Sequence, residues 1–304
     1  MKIAAIIPTY QRPKDLERCL EAFKRQTRPV DQLFVTVRDT DAETWTFLQS
    51  YNAELLPLQA LIVKVPGVVA AMNCGLDAAT GDIIAFTDDD AAPHADWLER
   101  IETYFLKDEK IGGVGGRDWQ YVGTEIKEVG ERKVVGQMRW HGMVIGNHHL
   151  GVGEPQEVYV LKGVNMSFRR DAIAELRFDE RMRGTGAQVH FELAFSLRLK
   201  QAGWKIIFDP KVAVDHFPAQ RFDEDLREKF SAIALENQVH NETLALLDYL
   251  SPIRRIVFLL VATIISFLKW LQLLPREGVL SNEKFLASLR GRWQGVQTWN
   301  QGRK

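Results

Sequence analysis

Cysteine, net charge and long apolar runs near the N-terminus are all scarce in this chain of 304 residues. Its two cysteines, Cys19 and Cys74, show no metal-type spacing and fit a reducing compartment. A net charge of −1 provides no overall basic field, so nucleic acid is not an expected partner. The opening "MKIAAIIPTYQRP" has an apolar run too short for a signal peptide and no small-residue cleavage site. The expectation is a first strand of a cytoplasmic protein. No internal repeat, low-complexity stretch or clean linker divides the sequence, so one composite domain is expected. The turn after the first apolar run lacks Gly-x-Gly-x-x-Gly, and the later "GGVGGRDW" puts Asp118 where the third glycine would stand. That disfavours a dinucleotide-dependent dehydrogenase.

What is present is a regular alternation of strand and helix patterns. Short apolar runs at residues 3–7, 32–37, 60–65 and 82–87 read as strands of a buried parallel sheet. Between them, Pro13 opens a helix with Leu16, Leu20 and Phe23 along one face, and "GVVAAMNCGLDAATG" reads as a helix closed by Gly81. "ADWLERIETYFL" predicts another helix and "IGGVGG" a short strand. The class expected is α/β, a Rossmann-like, mostly parallel sheet flanked by helices. From about residue 120, β-type segments at 157–163 and 165–170 precede a helix at 191–203 and strand-like "WKIIFDP" and "VAVDHF". Residues 223–248 read as one long amphipathic helix.

In such sheets, ligands bind beyond the carboxyl ends of the strands. At one such end stands "IIAFTDDDAAP", with Asp88, Asp89 and Asp90 behind a buried run. Two carboxylates one residue apart suit a hard divalent cation, which takes oxygen ligands and leaves room for substrate phosphates. A solvated, helix-capping turn is the plain alternative. An EF-hand would need Gly and Glu at its sixth and twelfth positions, and Pro93 fails the first. A haloacid-dehalogenase-type phosphatase would carry its Asp-x-Asp near the N-terminus, not on the fourth strand.

"IIPTYQRP", "TGDIIAFTDDD", "GVNMSFRR" and "ELAFSLRLKQAGW" occur in that order over residues 2–217. Together they resemble the family 2 glycosyltransferases with a GT-A fold. The resemblance implies inverting transfer of a sugar from a UDP-, GDP- or dTDP-type donor, assisted by Mg²⁺ or Mn²⁺. It implies that Pro8, Thr9, Tyr10 and Arg12 line the donor site, with Asp39 reading the base and Asn73 touching the nucleotide. Asp88 and Asp89 would meet the nucleotide sugar, and Asp90 and His216 would hold the metal or diphosphate. The position of the general base falls on Glu192, whose acidic neighbours in the family are here Phe191 and Ala194. For Glu192 a simple helix-dipole role, worth about 0.3–1 kcal/mol, stays open beside the base. His190 is an alternative base or an acceptor contact, and Gly163 and Asn165 would lie beside the sugar. The Gly-rich "GTGAQVH" would be a mobile loop over donor and acceptor. Met72 stands where the family often has an arginine.

The expected organisation is a catalytic domain over 1–220, split into a nucleotide-binding half (1–117) and an acceptor half (118–220). A C-terminal helical region follows over 221–304. Its residues 254–276 are the most apolar stretch, flanked by Arg254, Arg255 and Arg276. Charge on both sides points to a helix lying in a membrane interface, with a buried or homodimer-forming helix as the alternative. A place at the inner face of the cell membrane would suit a glycan or lipid-linked acceptor. Two other classes remain: a non-catalytic sugar-nucleotide or glycan-binding protein on the same scaffold, and a nucleotidyltransferase, whose Gly-rich first turn is missing.

Overall fold

The computed structural model describes residues 1–127, 129–226 and 229–302. Its first half runs β1 (Ile3–Thr9), α1 (Pro13–Lys24), β2 (Gln32–Arg38), α2 (Ala42–Ser50), β3 (Leu58–Val63), α3 (Val68–Ala78), β4 (Ile83–Phe86), β5 (Ala91–Pro93) and α4 (Trp97–Lys107). Then come β6 (Ile111–Val122), the two-residue strands β7 (Glu125–Ile126), β8 (Gln137–Met138), β9 (Val144–Ile145) and β10 (Gln156–Glu157), and β11 (Met166–Arg169). The chain ends with α5 (Phe191–Gln201), β12 (Lys205–His216), α6 (Ala232–Tyr249), α7 (Pro252–Glu277) and α8 (Val279–Gln301).

The main sheet has the order β10-β12-β6-β11-β4-β1-β2-β3. β1, β2, β3 and β4 are mutually parallel, as are β6 and β12, while β11 lies antiparallel between β4 and β6. Residues of β1 alternate between two cores, because successive side chains point to opposite faces. Ala4 and Ile6 face a core built with α3, α5 and α6. Ile3, Ala5 and Ile7 face one built with α1 and α4. Both faces are covered, which is why β1 is a continuous apolar run.

The two expected halves share this sheet: β6 alone crosses residue 117, and β12 pairs with it. The C-terminal region shares the core as well, through Leu244, Leu246, Leu247, Leu250 and Phe258. Several expected boundaries differ. The "IGGVGG" strand extends to Val122, and the two strand-like stretches after α5 form one strand with a register shift between Asp209 and Val214. Within 157–163 only Glu157 joins a strand, paired to Ile207. The expected long helix begins at Ala232, where Ser231 caps it by accepting from the Ala234 amide. Residues 227 and 228 of that expected helix lie outside the described residues.

His148 sits buried beside this sheet, its Nε2–H donating to the Val160 carbonyl at 2.9 Å and its ring edge-on to Phe208. Burial holds its pKa down at about 4. The neutral ring therefore contributes stability that is complete above the unfolded value near pH 6.5. That stability is lost as pH falls toward 4, about 3 kcal/mol in all. Denaturant titrations from pH 7.5 to 4 should show a shallower acid loss in His148→Gln than in the wild type. Parallel curves would show that His148 does not titrate on unfolding.

Candidate active site

The aspartate turn follows β4 and leads into β5, where Ala91 pairs with His216 of β12. That register carries a residue from the far end of the chain to the aspartates. The Phe217 amide donates to the Asp90 carbonyl at 2.9 Å, and the Ala219 amide to the Asp90 carboxylate at 2.9 Å. Asp88, Asp90 and His216 each place a ligand atom within 4.8 Å of the others.

Around them the charges are dense and buried. Arg12 lies 3.1 Å from Asp89 and 3.4 Å from Asp90. His216 Nδ1 lies 3.5 Å from Asp118, which also pairs with Lys162. Burial disfavours the charged form of Asp90. The contact and charge of His216, then Arg12 and the Ala219 amide, outweigh it and hold the pKa well below the usual carboxylate range. Asp118 is held low against burial by His216 and Lys162. Burial would lower His216, but Asp118 and Asp90 push it up to about 9. Burial pushes Asp89 up to about 7, with Arg12 opposing and Asp90 adding to the rise.

Two observations make this group fit a divalent cation. Asp90 Oδ1 and His216 Nε2 are buried 3.3 Å apart, and neither meets a well-directed hydrogen-bond partner among the described residues. Asp88, Asp90 and His216 also bring two carboxylates and an imidazole within 4.8 Å of one another, and carboxylate with imidazole is a donor set that Mn²⁺ and Mg²⁺ accept.

The aspartates form one wall of a cleft of about 310 Å³. Pro8, Thr9, Tyr10 and Arg12 line it, with Thr36 and Arg38 from the end of β2. Two loops close over it. Thr185, Gly186 and Ala187 come from one, and Arg221, Phe222 and Asp223 from the other. Thr185 hydrogen-bonds Glu224 and the Ala187 amide donates to Asp223, so the loops hold each other. The N-terminus of α3 reaches the cleft at Gly67, whose φ of +107° favours glycine. The side chain of Gln188 occupies the space where a β-carbon would point, 2.2 Å away.

The family model described as "Glycosyl transferase family 2" matches residues 4–177, more than half of the chain. The chain belongs to glycosyl transferase family 2. Among curated relatives, the glycosyltransferase AglE of Haloferax volcanii is 26% identical over 269 residues, covering 88% of this chain and 81% of that protein. Residues 1–349 of TarS from S. aureus share the fold with a TM-score of 0.63 at 15% identity, over 97% of this chain and 81% of that one. The mannosyltransferase PcManGT from Pyrobaculum calidifontis, solved with GDP-Man and Mn²⁺, shares it with a TM-score of 0.58 at 17% identity, over 99% and 75%. The fold of this family 2 glycosyltransferase is thus GT-A, with a C-terminal helical region.

Within that fold, the structure gathers Pro8, Thr9, Tyr10, Arg12, Asp88, Asp89 and Asp90 at the cleft, with His216 behind them. Other expected site residues sit elsewhere. Asp39 is exposed just beyond β2, whose Thr36 and Arg38 line the cleft. Asn73 is turned to the backbone of Phe178, donating to its carbonyl and accepting from its amide. Asn165 accepts from the Trp97 indole and donates to the carbonyls of Val212 and Arg117, a tie between strands. Gly163 leaves room for the Phe191 ring, 2.7 Å from where its β-carbon would be. His190 is the N-cap of α5 and opens onto a different cavity. Glu192 stands half-buried in the first turn of α5, one residue after Phe191 of the cleft wall, with no ion pair among the described residues.

Sequence reasoning missed Asp118, Lys162 and the 221–223 loop. Asp118 entered only as a residue that spoils a glycine motif. Its place beside His216 follows from the β6–β12 register, which pairs Asp118 with Val214, two residues before His216.

Proposed function

We propose that this glycosyltransferase moves a sugar from a nucleoside-diphosphate donor to an acceptor hydroxyl with inversion, assisted by Mg²⁺ or Mn²⁺. The observation that carries the proposal is the Asp88–Asp90–His216 cluster, whose aspartates form one wall of the 310 Å³ cleft. Bound there, the ion would supply charge stabilisation to the departing diphosphate. Arg12 adds a fixed positive charge at the same wall, held by Asp89 and Asp90. Asp118 and Lys162 steady His216 from behind, which fixes its ring toward Asp90. Tyr10, in edge contact with Phe222, and Thr36 offer a stacking and hydrogen-bonding end for the base. The UDP-GlcNAc complex of TarS and the GDP-Man complex of PcManGT support a donor of this class.

Inversion is a single displacement and needs one general base for the acceptor hydroxyl. Glu192 takes that role: it lies beside the cleft wall and has no ion pair among the described residues. The acceptor is a glycan or a lipid-linked glycan at the inner face of the cell membrane. α7 supports that placement as the one helix among the described residues long and apolar enough to cross a bilayer. Its packing on α8, and the arginines at both ends, favour lying in the interface over spanning it.

The test is a donor panel with Mn²⁺ and no acceptor. Slow release of free sugar and nucleoside diphosphate from one donor is the expected result. Binding without turnover would leave a binding protein, and pyrophosphate release from a nucleoside triphosphate would make it a nucleotidyltransferase.

A further inference from the structure

The turns that follow β1 and β2 build much of the donor cleft. Tyr10 and Arg12 come from "PTYQRP" and Arg38 from "RDTDAE", and all three line it. The ladder between the two strands ends at the pair Thr9–Val37. Beyond that pair the two chain segments are linked by Asp41, which accepts a hydrogen bond from the Gln11 amide at 2.6 Å. Gln11 has a φ of +56°, in the left-handed region that residues other than glycine rarely enter. It stands between Tyr10 and Arg12, so its backbone angle sets where those two side chains point. Arg12 reaches Asp89 and Asp90, and the Tyr10 hydroxyl accepts from Gln11 Nε2 at 3.2 Å. Backbone strain of this kind persists only where the surroundings hold it, and it concentrates at ligand sites.

The holding group is more than a helix cap. Asp41 is 1% exposed, and its other oxygen caps α2 by accepting from the Thr44 amide at 3.1 Å. A serine would cap α2 about as well without burying a charge. What the carboxylate adds is a second oxygen, and that oxygen is the one on Gln11. A hydrogen bond to an ionised acceptor is also the stronger kind. Asp41 is itself fixed in place. Its amide donates to the Arg38 carbonyl at 3.1 Å, and the Trp45 indole donates to the same carbonyl at 2.9 Å. The turn after β2 is thus a braced support from which the turn after β1 is held.

We propose that Asp41 is a positioning residue for the donor: its second carboxylate oxygen holds Gln11 in the left-handed conformation that presents Tyr10 and Arg12 to the cleft. Without that contact Gln11 relaxes, and only a fraction of molecules carries the binding-competent turn. The apparent affinity falls by that fraction. The proposal rests on the transferase function above and adds a residue, outside the cleft lining, that sets donor affinity.

The experiment measures affinity of the full chain for UDP, GDP, dTDP and CDP by calorimetry, each with Mn²⁺, and Tm alongside. Asp41→Ser keeps an oxygen for the Thr44 amide and gives up the Gln11 amide. It should weaken the nucleotide that the wild type binds by roughly 5–30-fold, the population lost when a left-handed residue relaxes. Its Tm should fall by less than that of Asp41→Ala, which also uncaps α2. Adding Gln11→Gly to Asp41→Ser should recover affinity by about threefold or more, because glycine enters the left-handed region with no side-chain penalty. A cap role alone predicts neither the loss in Asp41→Ser nor the recovery. Wild-type affinity in Asp41→Ser, or no recovery in the double variant, overturns the role of Asp41 and leaves the transferase standing. A wild type that binds none of the four nucleotides overturns the transferase reading and this one with it.

Discussion

Glu192→Gln should lower kcat by roughly 10²–10⁴-fold, the usual contribution of a positioned general base. Donor affinity should be unchanged. The amide keeps the size of the carboxylate and its place in the first turn of α5, and among the described residues Glu192 holds no ion pair that would be broken. A helix-dipole role predicts something different: about 0.3–1 kcal/mol of stability and no change in turnover. The check is steady-state transfer alongside a melting curve. Loss of kcat at constant Tm supports the base. Loss of Tm at constant kcat assigns Glu192 to the helix and moves the search for a base elsewhere.

Asp90→Asn should be at least as damaging, by another route. A divalent ion held there would be worth several kcal/mol of transition-state stabilisation. Each 1.36 kcal/mol is about tenfold in rate, so a loss of roughly 10³-fold or more in kcat/KM is expected. The asparagine keeps an oxygen for the Ala219 amide, which Asp90 accepts at 2.9 Å. It removes the negative charge that faces His216 and Arg12. Because a broken buried ion pair costs about 3–5 kcal/mol, some loss of stability is also expected. Raising Mn²⁺ should recover part of the activity if the variant has merely weakened the ion's site. A variant with wild-type turnover and wild-type metal dependence would remove Asp90 from the metal site.

The parts of this protein legible in its sequence are those fixed by local pattern. β1 and β4 are buried on both faces, so they read as unbroken apolar runs ending at the ligand side of the sheet. The aspartate turn could be located for the same reason. α2 was not legible. Asp41 caps it through the Thr44 amide and also accepts from the Gln11 amide, a contact 30 residues away that no local pattern carries. The strand at 157–163 was over-read because its apolar residues are buried by α5 and the core rather than by strand pairing. Asn73 and Asn165 look like ligand contacts in a motif, yet their amides are spent on backbone groups brought close only by the fold. The supports of His216 were hidden because they depend on strand register, which apolar pattern alone does not specify across a bulge.

Metal-dependent nucleotide binding is the most direct test of the central claim. Melting temperatures are measured with UDP, GDP, dTDP and CDP, each with and without Mn²⁺, on the wild type and Asp90→Asn. A ligand at a hundredfold excess over Kd adds about 2.7 kcal/mol, which raises Tm by several degrees. The account predicts that one nucleotide stabilises the wild type only with Mn²⁺, and that Asp90→Asn loses this effect. Stabilisation by no nucleotide under any condition, or an equal effect in Asp90→Asn, would contradict it.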